Sequence, residues 1–256
     1  MAGGVGIAFE GCGCRAAFHV GVLEELRQRG VRFEAAAGTS SGSILAAAVA
    51  FGLEDQVRAT LFDLLDTPIF RPRVALRGSW PWRMSEIVGS TVRRYFGDRR
   101  MHHAEMPLCI PVTLLGRRGW RRVSVDHRCD LPVVDAILAS CFIPGPYHRR
   151  IRLDCRTAFD GAITGRVPCD ELHDLGARTL LASVSHPSGR LQKGALLKRA
   201  AEPPARQPIV IKPSTQLAVS TFDFDRQRML QALESGAGSA RRLVGDEGIA
   251  NQLGVG

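Results

Sequence analysis

The apolar residues between positions 4 and 52 change their pattern three times. The run 4–11 (GVGIAFEG) is short, apolar and closed by glycine, which predicts a buried strand. Residues 14–29 place Ala17, Val20, Leu23 and Leu26 at helical spacing, and Gly30 is a good helix stop. Residues 33–40 (FEAAAGTS) predict a second buried strand, and 41–52 (SGSILAAAVAFG), apolar on every face, predict a buried helix. Strand–helix–strand–helix is the opening of an α/β fold with parallel strands.

The pattern continues with helices at 54–66 and 85–96, joined by a connector (70–83) rich in Arg and Trp. Strands are expected at 108–115 and 120–126, a helix at 132–141, and further strands near 151–159 and 177–185. The segment 186–208 is rich in Gly, Pro and charge and predicts a mobile surface loop. A last strand at 208–214 precedes an amphipathic terminal helix, 223–244, which Gly236 and Gly238 should interrupt. No internal repeat is present, and 256 residues suit a single domain spanning 1–256. The longest weakly polar run, 43–53, is too short to span a bilayer.

Composition adds a partner class. The formal net charge is +9, with Arg concentrated at 71–77, 93–100, 116–122 and 148–152. Such clusters form a solvated surface or meet an anionic partner. Of the partners, a peripheral contact with an anionic membrane surface stands ahead of nucleic acid, which is not expected. Trp80, Trp82 and Trp120 each lie within three residues of an Arg, which suits either a headgroup-level interface or an Arg stacked on a ring. Seven irregularly spaced cysteines point to reduced thiols in a cytoplasmic compartment. The first residues carry no basic region followed by an apolar core, so no secretory signal is expected.

Candidate chemistry sits at three places. Gly11, Gly13 and Ala16 fit G-x-G-x-x-[GA], a loop that holds negative charge at a helix start. That charge is either a dinucleotide pyrophosphate or an oxyanion formed during ester cleavage. The dinucleotide reading has an acid at the right distance, Glu34, but at the start of its strand rather than at the carboxyl end where such an acid sits. The pentapeptide GTSSG (38–42) has the form G-x-S-x-G between an apolar strand and an apolar helix, which points to Ser40 as a nucleophile. Its base is one of the seven histidines or Asp160, in the sequence AFDGA at a strand end. The order Ser…Asp…His of an α/β-hydrolase fits poorly, because Ser40 follows only the second strand.

The trio GCGCRA (11–16), GTSSG (38–42) and DGA (160–162) resembles the patatin-like phospholipase family. The helix RAAFHVGVLEEL and the segment ILASCFIPGPY (137–147) strengthen the resemblance. It implies a three-layer α/β/α sandwich with a mostly parallel sheet, acting as a serine acyl hydrolase on fatty-acyl esters of phospholipids or other lipids. It further implies Ser40 as nucleophile and Asp160 as base, in a dyad without a catalytic histidine. Gly11, Cys12 and Gly13 would supply the oxyanion hole, with Arg15 positioning their loop. No cofactor is implied and no metal site, since no His/Cys/Asp cluster has ligand spacing. The loop departs from the family pattern at Cys12 and Ala16, and Arg166 replaces a frequent Asn. Cys12 fits if its φ is negative. These departures leave one alternative, a catalytically silent lipid- or protein-binding module of the same fold.

Overall fold

The computed structural model describes residues 4–63, 69–71, 81–117, 119–153, 155–191 and 206–255. Strand β1 (Val5–Phe9) leads through a 3-10 turn (Gly13–Arg15) into helix α1 (Ala16–Gln28), and β2 (Phe33–Gly38) leads into α2 (Ser41–Ala50). Then come α3 (Val57–Asp63), α4 (Met84–Phe96), β3 (Leu108–Gly116), β4 (Gly119–Asp126) and α5 (Val133–Cys141). The chain continues with β5 (Arg152–Leu153), β6 (Arg156–Phe159), α6 (Cys169–Asp174), β7 (Thr179–Ser183), β8 (Ile209–Ile211), α7 (Arg226–Val244) and α8 (Glu247–Leu253).

The sheet runs β5-β6-β3-β2-β1-β7-β8, with β4 also paired to β3. Its centre, β3-β2-β1-β7-β8, is parallel, as βα crossovers require. The other pairings are antiparallel. Residues 109 and 113 of β3 each pair with β4 on one side; on the other side 109 pairs with β2 and 113 with β6. One edge of β3 therefore carries β2 and β6 end to end. This brings the carboxyl end of β2 beside that of β6, where Ser40 and Asp160 lie.

Alternation along β1 sorts the core. Val5, Ile7 and Phe9 join the large cluster built on α1, α2 and α5, while Ala8 joins a smaller one with Cys169 and Leu172 of α6. Helices thus flank a mixed sheet on both faces. The thin side is filled by alanines, Ala35, Ala37 and Ala182, against the short α6.

Two expectations from the sequence change here. Helix α7 runs unbroken through Gly236 and Gly238. A Cβ on Gly236 would lie 2.0 Å from the Phe18 carbonyl oxygen, and one on Gly21 would lie 1.9 Å from that of Leu233. The glycines let α1 and α7 touch along their backbones. The strand expected near 151–159 is instead a hairpin of β5 and β6, turned through Cys155 at φ 62°. Most of the predicted mobile loop (192–205), most of the connector (72–80, with Trp80) and residues 64–68 lie outside the described residues. No helix among the described residues is long and apolar enough to cross a membrane.

Candidate active site

Ser40 occupies the turn between β2 and α2 with φ 52° and ψ −125°, a conformation that L-residues seldom adopt. Holding it costs about 1–3 kcal/mol, which the surroundings must over-determine. The Ser40 N–H donates to Ser140 Oγ at 2.9 Å, and Ser140 donates in turn to the Pro111 carbonyl at 2.7 Å. Gly42 lets α2 start against the first strand, since a Cβ there would lie 2.5 Å from the Phe9 carbonyl oxygen.

Asp160 follows β6 and caps the 3-10 turn Gly161–Ile163. Ser40 Oγ donates to Asp160 Oδ2 at 2.7 Å, and the Ala162 N–H donates to Oδ1 at 2.7 Å. The Asp160 backbone is fixed at both ends. Its N–H donates to Phe142 O at 2.8 Å, and Thr113 Oγ1 donates to its carbonyl at 2.9 Å. Arg122 holds the rest of the turn, donating to Gly161 O at 3.0 Å and Gly165 O at 2.6 Å while paired with Glu171. Burial of the carboxyl raises its pKa to about 6, against the pull of the Ser40 hydroxyl, the Ala162 N–H, Arg166 and Arg122. A carboxylate so desolvated is a stronger proton acceptor than an exposed one.

The glycine-rich loop closes the third side. Cys12 has φ −145°, so the side chain brings no backbone strain, and its N–H donates to Ser41 Oγ at 3.2 Å. Gly13 has φ 62°, and a Cβ there would meet Thr221 O at 2.1 Å, so glycine is required. The loop is pinned to residue 221: Cys14 N–H donates to Thr221 O at 2.9 Å, and Arg15 Nη2 to Thr221 Oγ1 at 3.1 Å. The Gly11 N–H is committed to Arg166 O at 3.0 Å. Arg166 thereby ties the glycine-rich loop to the segment that follows Asp160.

Behind this loop, Cys12 Sγ lies 3.3 Å from His19 Nε2, and His19 Nδ1 lies 2.7 Å from Ser183 Oγ. Burial lowers the His19 pKa to about 3, keeping the ring neutral, and burial pushes the Cys12 thiol well up. Glu10 is also fully buried, and its Oε2 accepts from the Ser185 N–H at 2.6 Å and hydroxyl at 2.7 Å. The donor atoms of Glu10, Cys12 and His19 lie within 4.8 Å of one another. The fold thus assembles three metal-ligand types that the linear spacing does not announce.

Ser40, Asp160 and residues 11–13 open on a cavity of about 370 Å³. Its walls are apolar, with Ile44, Leu45, Val88, Ile143, Phe222 and Met229 among them. None of the seven histidines lines it. Glu34 lies at the start of β2, the opposite end from Ser40, and is exposed. The residues that sequence reasoning missed are Thr113, Arg122, Ser140 and Thr221. Ser140 falls within the quoted segment 137–147; the other three carry no local signal, because each acts through tertiary contact.

The fold is shared with solved proteins of low identity. VipD from Legionella pneumophila matches with a TM-score of 0.58 at 10% identity, covering 96% of this chain and 67% of that one. Human GIVD cytosolic phospholipase A2 matches with a TM-score of 0.59 at 12% identity, covering 99% of this chain and 60% of that one. Its complex with methyl gamma-linolenyl fluorophosphonate matches with a TM-score of 0.54 at 14% identity, covering 99% and 59%. The chain therefore spans about three-fifths to two-thirds of the length of these proteins. The family model described as patatin-like phospholipase matches residues 7–173, a span that holds the glycine-rich loop, Ser40 and Asp160, and the chain belongs to that family of lipid hydrolases.

Proposed function

We propose that the protein is a serine acyl hydrolase that cleaves fatty-acyl esters of phospholipids or related lipids through a Ser40–Asp160 dyad. The observation that carries this reading is the 2.7 Å hydrogen bond from Ser40 Oγ to a buried carboxylate at the end of an apolar cavity. Ser40 attacks the ester carbonyl while Asp160 accepts its proton. The N–H groups of Cys12 and Gly13 receive the oxyanion, and the ester carbonyl takes the place of Ser41 Oγ at Cys12. The Gly11 N–H keeps Arg166 O, so its part is to set the loop. Arg15 anchors the same loop through Thr221. One such donor is worth about 3 kcal/mol in comparable sites. The tetrahedral adduct collapses to an acyl-Ser40, and the alcohol leaves with the proton from Asp160. Asp160 then takes a proton from water as the water oxygen bonds to the acyl carbon, the C–Oγ bond breaks, and that proton returns to Ser40 Oγ as the fatty acid leaves.

The cavity walls suit an acyl chain, and the exposed aromatics Phe70, Trp82 and Phe222 suit peripheral contact with an anionic lipid surface. A long-chain fluorophosphonate tests the reading directly. Mass analysis should find the phosphonyl adduct on Ser40, none on Ser40→Ala, and turnover of Asp160→Asn lower by orders of magnitude with the fold intact. Absence of labelling in folded protein supports the silent binding module instead.

A further inference from the structure

We propose that Glu10, Cys12 and His19 form a binding site for a divalent transition-metal ion of the zinc class, directly behind the glycine-rich loop. The three side chains come from the end of β1, the loop and α1, and they are 0%, 2% and 0% exposed. Thiolate, imidazole and carboxylate bind zinc at about 2.0–2.3 Å. Donors in such a shell are separated by less than twice that length, as Cys12 Sγ and His19 Nε2 are at 3.3 Å. One donor atom from each of the three residues lies within 4.8 Å of the other two, a bound close to that limit.

The surrounding hydrogen bonds aim the ligands. Ser183 holds His19 Nδ1 and leaves Nε2 for the cluster, and Ser185 takes both of its bonds on Glu10 Oε2. Glu10 Oε1 is buried with no hydrogen-bond partner, and the nearest guanidinium nitrogen, on Arg166, is 3.8 Å away. A buried carboxylate oxygen left so is costly. An S–H···N bond between Cys12 and His19 alone accounts for two of the three groups and leaves this oxygen unexplained. A cation among the three accounts for all of them.

Binding is a ligand exchange without redox change. The Cys12 S–H bond breaks, an S–metal bond forms, and the proton passes to solvent. Thiolate and carboxylate balance the dication, His19 binds neutral, and a fourth position is left for water. The ion fixes the side chain of the residue whose N–H faces the ester, so it acts on the loop and not on the reacting atoms.

The test uses metal-stripped Ser40→Ala full-length protein, so that its outcome is independent of hydrolysis. Titration with cobalt(II) under reducing conditions should saturate at one ion per chain. It should give a near-ultraviolet thiolate-to-cobalt charge-transfer band and the visible spectrum of a four-coordinate ion, both abolished by zinc. Cys12→Ser, or Cys12→Gly should the serine variant fail to fold, should lose the charge-transfer band. Folded Glu10→Gln should bind cobalt more weakly by about tenfold or more. No cobalt uptake overturns the site. So does a charge-transfer band that survives in the Cys12 variants, or an unchanged affinity in Glu10→Gln.

Discussion

Asp160 meets Ser40 with its carboxyl almost sealed from solvent, and desolvation, the largest influence on it, pushes its pKa up to about 6. Only the ionised form accepts the serine proton. The kcat/KM for a dissolved ester should therefore rise with pH through about 6 with the slope of a single proton and level off above. A profile flat through that value would remove Asp160 as the base. The same shift has a consequence for stability. The folded state holds this proton more tightly than the unfolded chain, so stability from this group is full below the ordinary carboxylate value and is lost as pH rises through about 6. Asp160→Asn keeps an oxygen for the Ala162 N–H and carries no charge. Urea unfolding should find it at least as stable as the parent at alkaline pH, by up to a few kcal/mol, with the advantage fading in acid. An advantage that grows in acid would reverse the assignment. The residues that make this environment were hidden from the sequence for a reason seen at Thr113 and Arg122. Alternation marks them as strand positions and cannot say that their strands meet the Asp160 turn.

At the level of elements, the legible parts are those whose order is local. The strands and helices from β1 to α2, the β3–β4 pair and α5 follow the hydrophobic periodicity to within a few residues. The short helices α6 and α8 escaped it, because six or seven residues hold too few apolar positions to show a period. Asp246 does mark the start of α8, its side chain accepting from the Ile249 N–H, but one capping residue is a weak signal. The α7 misreading is more instructive. Glycine propensity argues for a break at Gly236, and the backbone contact with α1 overrides it. A contrast within one helix checks this. A Cβ at Gly238 meets only the end of the Arg242 side chain at 3.6 Å, so Gly238→Ala should stabilise by up to about 1 kcal/mol. Gly236→Ala should destabilise by about 1–3 kcal/mol despite the same gain in propensity, since Phe18 O is in the way. Equal shifts in the urea midpoints of the two variants would deny the close helix contact.

Across the whole molecule, several arginines of the basic clusters are, among the described residues, already engaged within the fold. Arg122, from the 116–122 cluster, is consumed in holding the Asp160 turn, while Arg94, Arg100 and Arg149 pair with Asp63, Asp130 and Asp135. Trp120 packs edge-on against Phe159 at 5.1 Å and belongs to the support of Asp160, not to an interface. Among the described residues, the surface proposed above for lipid contact is chiefly aromatic. Phe70 and Trp82 pack with tilted rings at 4.7 Å and are 47% and 38% exposed, and Trp82 lies two residues before α4, whose Met84 and Val88 line the cavity. In the proposed contact such rings would gain by leaving water at headgroup depth, and the flanking, exposed Arg71 would add attraction to anionic lipid, whereas Arg83 is paired with Glu86. The double variant Phe70→Ser, Trp82→Ser removes this surface without touching Ser40, Asp160 or the 11–15 loop. It should sediment less with anionic vesicles and hydrolyse vesicle lipid several-fold more slowly, while turnover of a monomeric short-chain ester stays within error of the parent. Raised salt should weaken vesicle binding of the parent as well, because the Arg contribution is screened over about 10 Å at 0.1 M. A parallel loss on both substrates would place the pair in the fold of the catalytic domain and leave the protein's route to its lipid elsewhere on the surface.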